Sequence, residues 1–416
     1  MTGRRLTSLL AYLTTAAAGA SLLTGCGVIP GATGGSREPV TVMTWAPDGT
    51  RATNMPGMPA MAQAYARWVN AKGGIDGHQL RVLTCNEENS PSGASACARR
   101  AVRENVTAVV GSYSQHGRAF MAPLEAAGIP YIGGYGISED EFTSHLSYPV
   151  NGGQASLVAG HGMQLAESCR RVSLVRPDTV AGDRLPELLN SGLQRGQHRT
   201  ATDIPAVEDA GEYSEQAGQA RERAGRDKGC VAAVLGERTQ TFFDSFRRLP
   251  ESDAEVRISS VLGSVGQPLV DRSGGSRSPF EGALVTGWYP DAGDPRWNPM
   301  RKVIQQQAFE DTRIDPADAG VQTTWIAYTV FAQVVKAVGT DEINARHVAR
   351  ALDGGVKVDT GGLTPPLRWR YEDMLGATGL ARVVNPEVTF QVVRQGRLVA
   401  QRPGFVNVGE TVRTAP

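Results

Sequence analysis

Polar, aromatic and glycine residues follow several apolar runs of this sequence, at points where a chain would leave a buried strand. Hydroxyl groups and backbone amides donate hydrogen bonds, aromatic rings stack, and a carboxylate pairs with a cation. Such groups suit the binding of a small solute and require no bond to be made or broken. The candidate binding residues are Trp45, Ser112, Tyr113, Ser114, Gly134, Tyr135, Glu237 and Tyr289.

Signatures of catalysis and of metal binding are missing from the sequence. It contains no Gly-x-Ser-x-Gly nucleophile elbow and no convincing Ser/His/Asp arrangement, although geometry rather than chain order defines a triad. The histidines lack the spacing of a metal site, and no Cys-x-x-Cys pair supports zinc. We therefore expect no catalytic residue, metal or cofactor, and an exported hydrolase is only a remote alternative.

Six of the eight candidates also have a structural interpretation. The two serines would cap the following helix, and Tyr113 and Tyr135 would anchor half-buried loops. Trp45 would be a core side chain, and Glu237 would be a solvated charge in the first turn of its helix.

The first 26 residues have the features of an export signal. A short basic region is followed by a mostly apolar run and then by small residues. The ending Leu23-Thr24-Gly25-Cys26 resembles the lipobox of bacterial lipoproteins, in which the cysteine is acylated and becomes the new N-terminus. This predicts a signal peptide at 1–25, a lipid on Cys26, a flexible tether at 26–38 and attachment to the outer face of the cell membrane. A transmembrane anchor, an unlipidated signal peptide and twin-arginine export are the alternatives.

The charge balance argues against nucleic acid as a partner. Lys+Arg and Asp+Glu each number 42 in the 416 residues. The chain therefore has no strong positive electrostatic field that would attract nucleic acid or an anionic membrane surface. No second apolar run approaches membrane-spanning length. We expect a soluble, monomeric body that is attached to the membrane only through its lipid.

Short apolar runs alternate with segments of helical periodicity, which predicts parallel sheets between helices. Val106 to Val110 is a continuous apolar run, typical of a strand buried on both faces. The pattern restarts after Pro149, so the chain holds two similar α/β units in tandem. The predicted strands are 39–45, 79–84, 106–110, 129–132, 172–175, 202–205, 231–235, 256–261 and 282–289, with a terminal β region around 367–369, 387–393 and 398–401.

Four cysteines follow Cys26, and an even number in an exported protein favours disulfides over metal ligation. Three pairings are possible from sequence alone. Cys85 and Cys97 bracket one loop-to-helix connection and can close locally. Cys169 and Cys230 precede the first and third strands of the second unit, which are neighbours about 4.8 Å apart in a doubly wound sheet of order 2-1-3-4-5. We therefore prefer the pairs Cys85–Cys97 and Cys169–Cys230.

Several segments of the chain together resemble the type I periplasmic-binding proteins of the leucine/isoleucine/valine-binding kind, the solute receptors of ABC importers. The resemblance covers most of residues 39–400 and rests on the order and spacing of its pieces, the last of which is common among actinobacterial members. The pieces are Asn70–Val82, Val106–Ser114, Ile129–Ile132, Glu281-Gly282 and Gly361–Pro366.

The resemblance implies an α/β fold of two doubly wound parallel-sheet lobes, joined by a multi-strand hinge, with a small-molecule ligand closed between them. The first lobe would comprise 39–150 and 286–338, and the second lobe 151–285 and 339–416. In open α/β sheets ligands bind beyond the carboxyl ends of the strands, which is where the candidate residues stand. The implied partner is an ABC permease in the membrane.

The resemblance also implies roles for individual residues. Hydroxyls and backbone amides of the first lobe bind an α-carboxylate in the family, and Ser114, the Gly134–Tyr135 backbone and Tyr135 match those positions. An acidic residue of the second lobe pairs with the ligand's ammonium group, and Glu237 is the match. The implied ligand is a small polar solute, an amino acid or a related compound.

This chain departs from the family where the first helix of the second unit begins. The family often has an aromatic ligand contact there, and this chain has Val180-Ala181-Gly182-Asp183. Ala181 can neither stack nor donate from its side chain, and Asp183 is expected to cap the helix. The ligand is thus expected to be larger than, or chemically different from, a branched-chain amino acid. A receptor that senses a ligand and signals to a membrane partner is the alternative function.

Overall fold

The computed structural model of the protein describes residues 37–51, 53–179, 181–207, 210–225, 227–250 and 256–415. The predicted signal peptide, the lipidation site Cys26 and the tether up to residue 36 lie outside the described residues. Residues 37 and 38, predicted to belong to the tether, already form part of the first strand. Within the described ranges no helix has the length and apolar character needed to cross a membrane.

The strands and helices alternate through most of the chain. The strands are β1 (Arg37–Ala46), β2 (His78–Asn86), β3 (Ala108–Val110), β4 (Tyr131–Ile132), β5 (Ser147–Tyr148), β6 (Arg171–Pro177), β7 (Thr202–Ala206), β8 (Gly229–Ala233), β9 (Val256–Val261), β10 (Leu284–Gly287), β11 (Glu387–Arg394), β12 (Arg397–Ala400) and β13 (Val406–Asn407). The helices are α1 (Gly57–Asn70), α2 (Pro91–Arg103), α3 (Gly117–Ala127), α4 (Asp140–Thr143), α5 (Gly153–Ala166), α6 (Leu185–Arg195), α7 (Ser214–Ala224), α8 (Thr239–Arg247), α9 (Gln267–Arg272), α10 (Asn298–Gln307), α11 (Ala319–Val338), α12 (Ala345–Asp353) and α13 (Gly409–Arg413).

The first sheet is parallel and has the order β2-β1-β3-β4-β5. The second sheet has the order β12-β11-β10-β9-β8-β6-β7, and its strands from β10 to β7 repeat the doubly wound order 2-1-3-4-5. There β11 runs antiparallel to β10 and to β12. These two parallel-sheet lobes confirm the predicted fold class.

The chain passes between the lobes more than once. It leaves the first sheet after β5 to build the second, and after β10 it returns to the first lobe, where α11 packs on α1. It then re-enters the second sheet as β11 and β12. Helix α12 packs on α11, and the Tyr148 hydroxyl donates to the Asp353 carboxylate at 3.1 Å. This helix therefore lies with the first lobe, whereas the predicted division gave all of 339–416 to the second.

Helix α11 is the central helix of the first lobe. It begins at Asp318, whose carboxylate accepts a 2.9 Å hydrogen bond from the amide of Val321, and it ends at Gly339 in the left-handed conformation (φ 64°). Its Trp325 and Tyr328 pack on Tyr65 of α1, each with ring centroids 5.3 Å apart. Aromatic contacts of this kind contribute about 0.5–1.5 kcal/mol each beyond area burial.

Two disulfides join the predicted pairs, Cys85–Cys97 and Cys169–Cys230, each with Cα atoms 5.8 Å apart. The second joins the chain just before β6 to β8, the strand that lies beside β6. The prediction of a β region at 367–369 is wrong, because these residues do not form a strand. Leu367 forms only an isolated bridge with Val358, and Trp369 is buried, with its indole N–H donating to the Pro149 carbonyl.

Candidate functional site

The two lobes meet at the carboxyl ends of their parallel strands. The loop after β1 reaches the loop after β8, where the amide of Asn54 donates to the Glu237 carboxylate at 3.4 Å. The loop after β4 reaches the loop after β9, where Tyr135 stands against Gly263. A Cβ atom placed on Gly263 would lie 3.1 Å from the Tyr135 hydroxyl. The strand ends of both sheets therefore enclose one cleft, as expected for ligand binding by open α/β sheets.

Three aromatic residues form what we call the aromatic cluster: Tyr113 after β3, Tyr135 after β4 and Trp288 after β10. The ring centroids of Tyr113 and Tyr135 are 5.2 Å apart, and those of Tyr135 and Trp288 are also 5.2 Å apart in an edge-on arrangement. Burial raises the pKa of Tyr113 to about 12, although hydrogen bonds with Gln115 and Thr53 oppose the rise. The cluster is thus neutral and buried, and it places the Tyr135 hydroxyl at the lobe boundary.

The Tyr135 hydroxyl is buried without a hydrogen-bond partner among the described residues, and the side chain is 3% exposed. Burial raises its pKa well above the usual value, and the nearby carboxylate of Asp318 raises it further. A buried hydroxyl left unpaired is unfavourable. This group is therefore available for a polar atom of a ligand.

Ser114 is paired inside the first lobe. Its hydroxyl donates to the carboxylate of Glu87 at 2.9 Å and accepts from the amide of His116 at 3.1 Å. Glu87 is fully buried, and burial raises its pKa while the bond from Ser114 lowers it. The hydroxyl proton that the resemblance assigned to a ligand carboxylate is thus donated to a carboxylate of the protein itself.

The loop after β4 is held by a second buried carboxylate, Glu141. It accepts hydrogen bonds from the amides of Gly136, Ile137 and Ser138 at 3.0–3.1 Å, and one from the Ser138 hydroxyl. Burial raises the pKa of Glu141, and these donors lower it. The sequence Ser138-Glu139-Asp140-Glu141 has the S-x-x-E spacing of a capping box, so a signal for this contact was present in the sequence.

The predicted backbone site at Gly134 and Tyr135 is also used internally. The Tyr135 amide donates to the Ser112 carbonyl at 3.0 Å. A Cβ atom at Gly134 would lie 2.1 Å from a carboxylate oxygen of Glu141 and 2.3 Å from the ring of Tyr131. Glycine is required at position 134 because the carboxylate and the ring leave no room for a side chain.

Trp45 and Ser112 hold the first lobe together. Trp45 is fully buried against Phe120 and Tyr131, with centroids 5.5 and 6.0 Å away, on the side of the sheet covered by α2 and α3. The Ser112 hydroxyl accepts from the Trp45 amide at 3.1 Å. Trp45 matches the structural interpretation considered from the sequence, whereas Ser112 ties two strand ends together and does not cap a helix.

Tyr289 lies in the crossing between the lobes. Its hydroxyl accepts from the Asn151 side chain and bonds Thr323 of α11, both at 3.0 Å. Burial raises its pKa to about 12. A narrow crevice beside it runs between Leu262 of the second lobe and Gln322 of α11. Tyr289 thus joins the crossing segment to both lobes.

Glu237 and the segment around Ala181 lie on the second lobe. Glu237 is exposed and accepts from the Asn54 amide, so it stands at the mouth of the cleft. Ala181 is exposed, and Val180 is outside the described residues. Asp183 does not cap the helix as predicted, because its carboxylate pairs with Arg176 at 2.7 Å. Among the described residues no cluster of His, Cys, Asp and Glu could hold a metal ion.

A sequence profile described as periplasmic binding protein matches residues 43–383. The chain belongs to this family. Its fold is that of the type I class, to which leucine-binding proteins belong, as the resemblance implied. The family consists of solute-binding proteins of the periplasm or the extracellular side, so the chain is a binding protein and not an enzyme.

Solved structures of this class share the fold at low sequence identity. A substrate-binding periplasmic protein from Ralstonia solanacearum is 16% identical, with a TM-score of 0.68 over 87% of this chain and 100% of that one. A possible leucine/isoleucine/valine-binding protein from Rhodopirellula baltica is 14% identical, with a TM-score of 0.70 over 89% and 98%. An ABC-transporter solute-binding protein from R. palustris, in complex with 4-hydroxybenzoate, is 13% identical, with a TM-score of 0.70 over 89% and 97%. No protein of curated function matches the sequence significantly.

Proposed function

We propose that this binding protein is the receptor of an ABC importer and that it closes its two lobes on a small polar solute, an amino acid or a related compound. The observation that carries the proposal is the approach of Asn54 and Glu237 at 3.4 Å across the cleft. The solved relatives named as ABC-transporter solute-binding proteins support the importer as partner.

Such a receptor would function by closing its two lobes on the solute. A solute that contacts Tyr135 on one lobe and Glu237 on the other stabilises the closed arrangement over an open one. An ammonium group enclosed between the lobes needs an opposite charge, because an unpaired buried charge is very costly. Glu237, at the mouth of the cleft, is the second-lobe carboxylate we assign to that role.

Lipid attachment at Cys26 would keep the receptor beside its permease. A cysteine that ends an export signal predicts the lipid, and a short glycine-rich segment follows it as a tether. A Cys26→Ser variant, expressed in a bacterium that processes lipoproteins, is expected to leave the membrane fraction. If the variant stays as firmly bound as the unchanged protein, the lipid anchor is wrong.

Thermal unfolding in the presence of candidate solutes tests the binding function. A solute that binds only the folded state raises the free energy of unfolding, by about 2.7 kcal/mol at a solute concentration of 100 times Kd. The midpoint temperature of unfolding rises with it. The screen should cover amino acids, amines, sugars and small carboxylates. We expect at least one class to raise the midpoint, and a flat response across all of them would contradict solute binding. Deletion of the neighbouring permease gene distinguishes transport from sensing. If the deletion abolishes uptake of the bound solute, transport is favoured.

A further inference from the structure

The cleft contains a polar group that the protein leaves unpaired. The Tyr135 hydroxyl has no partner among the residues that the structure describes, is buried, and faces Gly263 of the opposite lobe. The rings of Tyr113 and Trp288 pack against the ring of Tyr135. A ligand that reaches this point therefore meets aromatic rings and one hydroxyl free to bond it.

Several carboxylates lie near these rings. The Asp318 carboxylate raises the pKa of Tyr135, and those of Glu141 and Glu87 raise the pKa of Tyr113. Arg272 lies near enough to Asp318 to lower its pKa, but burial of Asp318 is the larger effect and acts in the opposite direction. Glu237 adds an exposed carboxylate from the second lobe.

Several first-lobe donors that an anionic group could use are already engaged within the protein. Ser114 donates to Glu87, and the amides of residues 136–138 donate to Glu141. The amide of Tyr135 donates to the Ser112 carbonyl. Of these groups, only the Tyr135 hydroxyl would be left to donate to a ligand carboxylate at this position, which is little to offset the nearby negative charge.

We propose that the solute is a small organic cation, an amine or a quaternary ammonium compound, whose charged group lies against the aromatic cluster between Asp318 and Glu237. Aromatic faces attract cations through the ring quadrupole, most strongly when water is excluded. This inference rests on the proposed function, because it names the ligand class of the same cleft. It places the cationic group of the solute against the first lobe, whereas the resemblance places a carboxylate of the ligand there.

Calorimetric titration of the whole protein that follows the predicted signal peptide, with matched pairs of solutes, tests the inference. The pairs are tyramine and tyrosine, agmatine and arginine, and choline and glycine betaine, in which only the second member bears a carboxylate. We expect at least one amine to bind about tenfold more tightly than its carboxylate-bearing counterpart. Tighter binding of the counterparts, or binding of none of the three cations without a carboxylate, overturns the inference. If sugars or carboxylates then raise the thermal midpoint, the proposed function still stands.

A matched pair of variants locates the cation. Asp318→Asn removes the charge but keeps an amide oxygen that can cap α11, because asparagine caps helices as well as aspartate does. Asp359→Asn makes the same change at an exposed loop, where the carboxylate accepts from the Gly361 amide at 2.8 Å. We expect Asp318→Asn to weaken amine binding about tenfold and Asp359→Asn to leave it unchanged. Equal affinities for the two variants contradict the placement of the cation. Tyr135→Phe provides a second check, since it removes only the unpaired hydroxyl and should weaken binding of the same amine.

Discussion

The Glu87 carboxylate accepts a 2.9 Å hydrogen bond from the Ser114 hydroxyl, and this bond joins the loop after β2 to the loop after β3 on the first-lobe side of the cleft. Neither residue is exposed. The pair therefore shapes the cleft from within, and its removal should affect folding stability first.

Ser114→Ala leaves the Glu87 carboxylate buried with one hydrogen bond fewer, which should cost about 1–3 kcal/mol of unfolding free energy. Burial raises the pKa of Glu87 and the bond from Ser114 lowers it, so the variant raises that pKa further. The loss should therefore be larger at pH 7, where the carboxylate is charged, than at pH 4, where it gains a proton. Urea unfolding at the two pH values measures this. An affinity loss with unchanged stability would instead place Ser114 on the ligand.

The Cys85–Cys97 disulfide braces the same side of the cleft. Between the two cysteines, Asn86 exchanges hydrogen bonds with the backbone of Asp48, at 2.9 and 3.1 Å, and Glu87 holds Ser114. Replacing both cysteines by serine should cost about 3 kcal/mol in the loop-entropy account and should also weaken solute binding.

The Cys169–Cys230 bridge is the matched control, because it joins the strand ends of β6 and β8 away from the cleft. Its removal should cost about 4 kcal/mol and leave the affinity of the remaining folded protein unchanged. Chemical unfolding and titration calorimetry on both double variants separate the two effects. Equal affinity losses would show that the first bridge has no special role in the cleft.

His161 should make the second lobe sensitive to acid. The ring is fully buried between the hydroxyls of Thr286 and Ser259 at 3.0 and 3.1 Å, and burial lowers its pKa to about 4. The pKa in the folded state is depressed below the unfolded value of about 6.5. The neutral ring therefore contributes fully to the free energy of unfolding above pH 6.5, and this contribution is lost as the pH falls toward 4. This amounts to about 2 kcal/mol between pH 7.5 and pH 5.

Urea unfolding of His161→Gln at both pH values checks that contribution. The variant should be less stable at pH 7.5 but should lose about 2 kcal/mol less than the unchanged protein on acidification. His145→Gln is the control, because the His145 side chain is 74% exposed. An acid loss in His161→Gln as large as that of the unchanged protein would exclude His161 as the source.

The fold was predictable because its signals are local or topological. The apolar run before Gly111 predicted a buried strand, and the doubly wound order followed from alternation and brought Cys169 beside Cys230. The candidate site was harder. No spacing rule links Ser114 to Glu87, which lies 27 positions earlier and meets it only through the neighbouring strands. A loop hydroxyl looks the same in sequence whether it faces a ligand or a buried carboxylate.

Glu237→Gln tests the second-lobe partner of the cation. The change keeps an oxygen that can accept from the Asn54 amide but removes the charge. Loss of one partner of an enclosed charge pair typically costs about 2–5 kcal/mol, so we expect the affinity for an amine-bearing solute to fall by about 30-fold or more. Glu222→Gln, at an exposed position on α7, is the control. Unchanged affinity in calorimetry would remove Glu237 from the site.

The distance between the lobes tests the central claim most directly. Spin labels at Arg118→Cys on α3 and Gln240→Cys on α8, both exposed positions, report on opposite lobes through pulsed electron resonance. With a solute that raises the thermal midpoint, we predict a single short distance, and without it a broader distribution that extends to longer distances. Identical distributions with and without the solute would contradict closure of the lobes on a ligand.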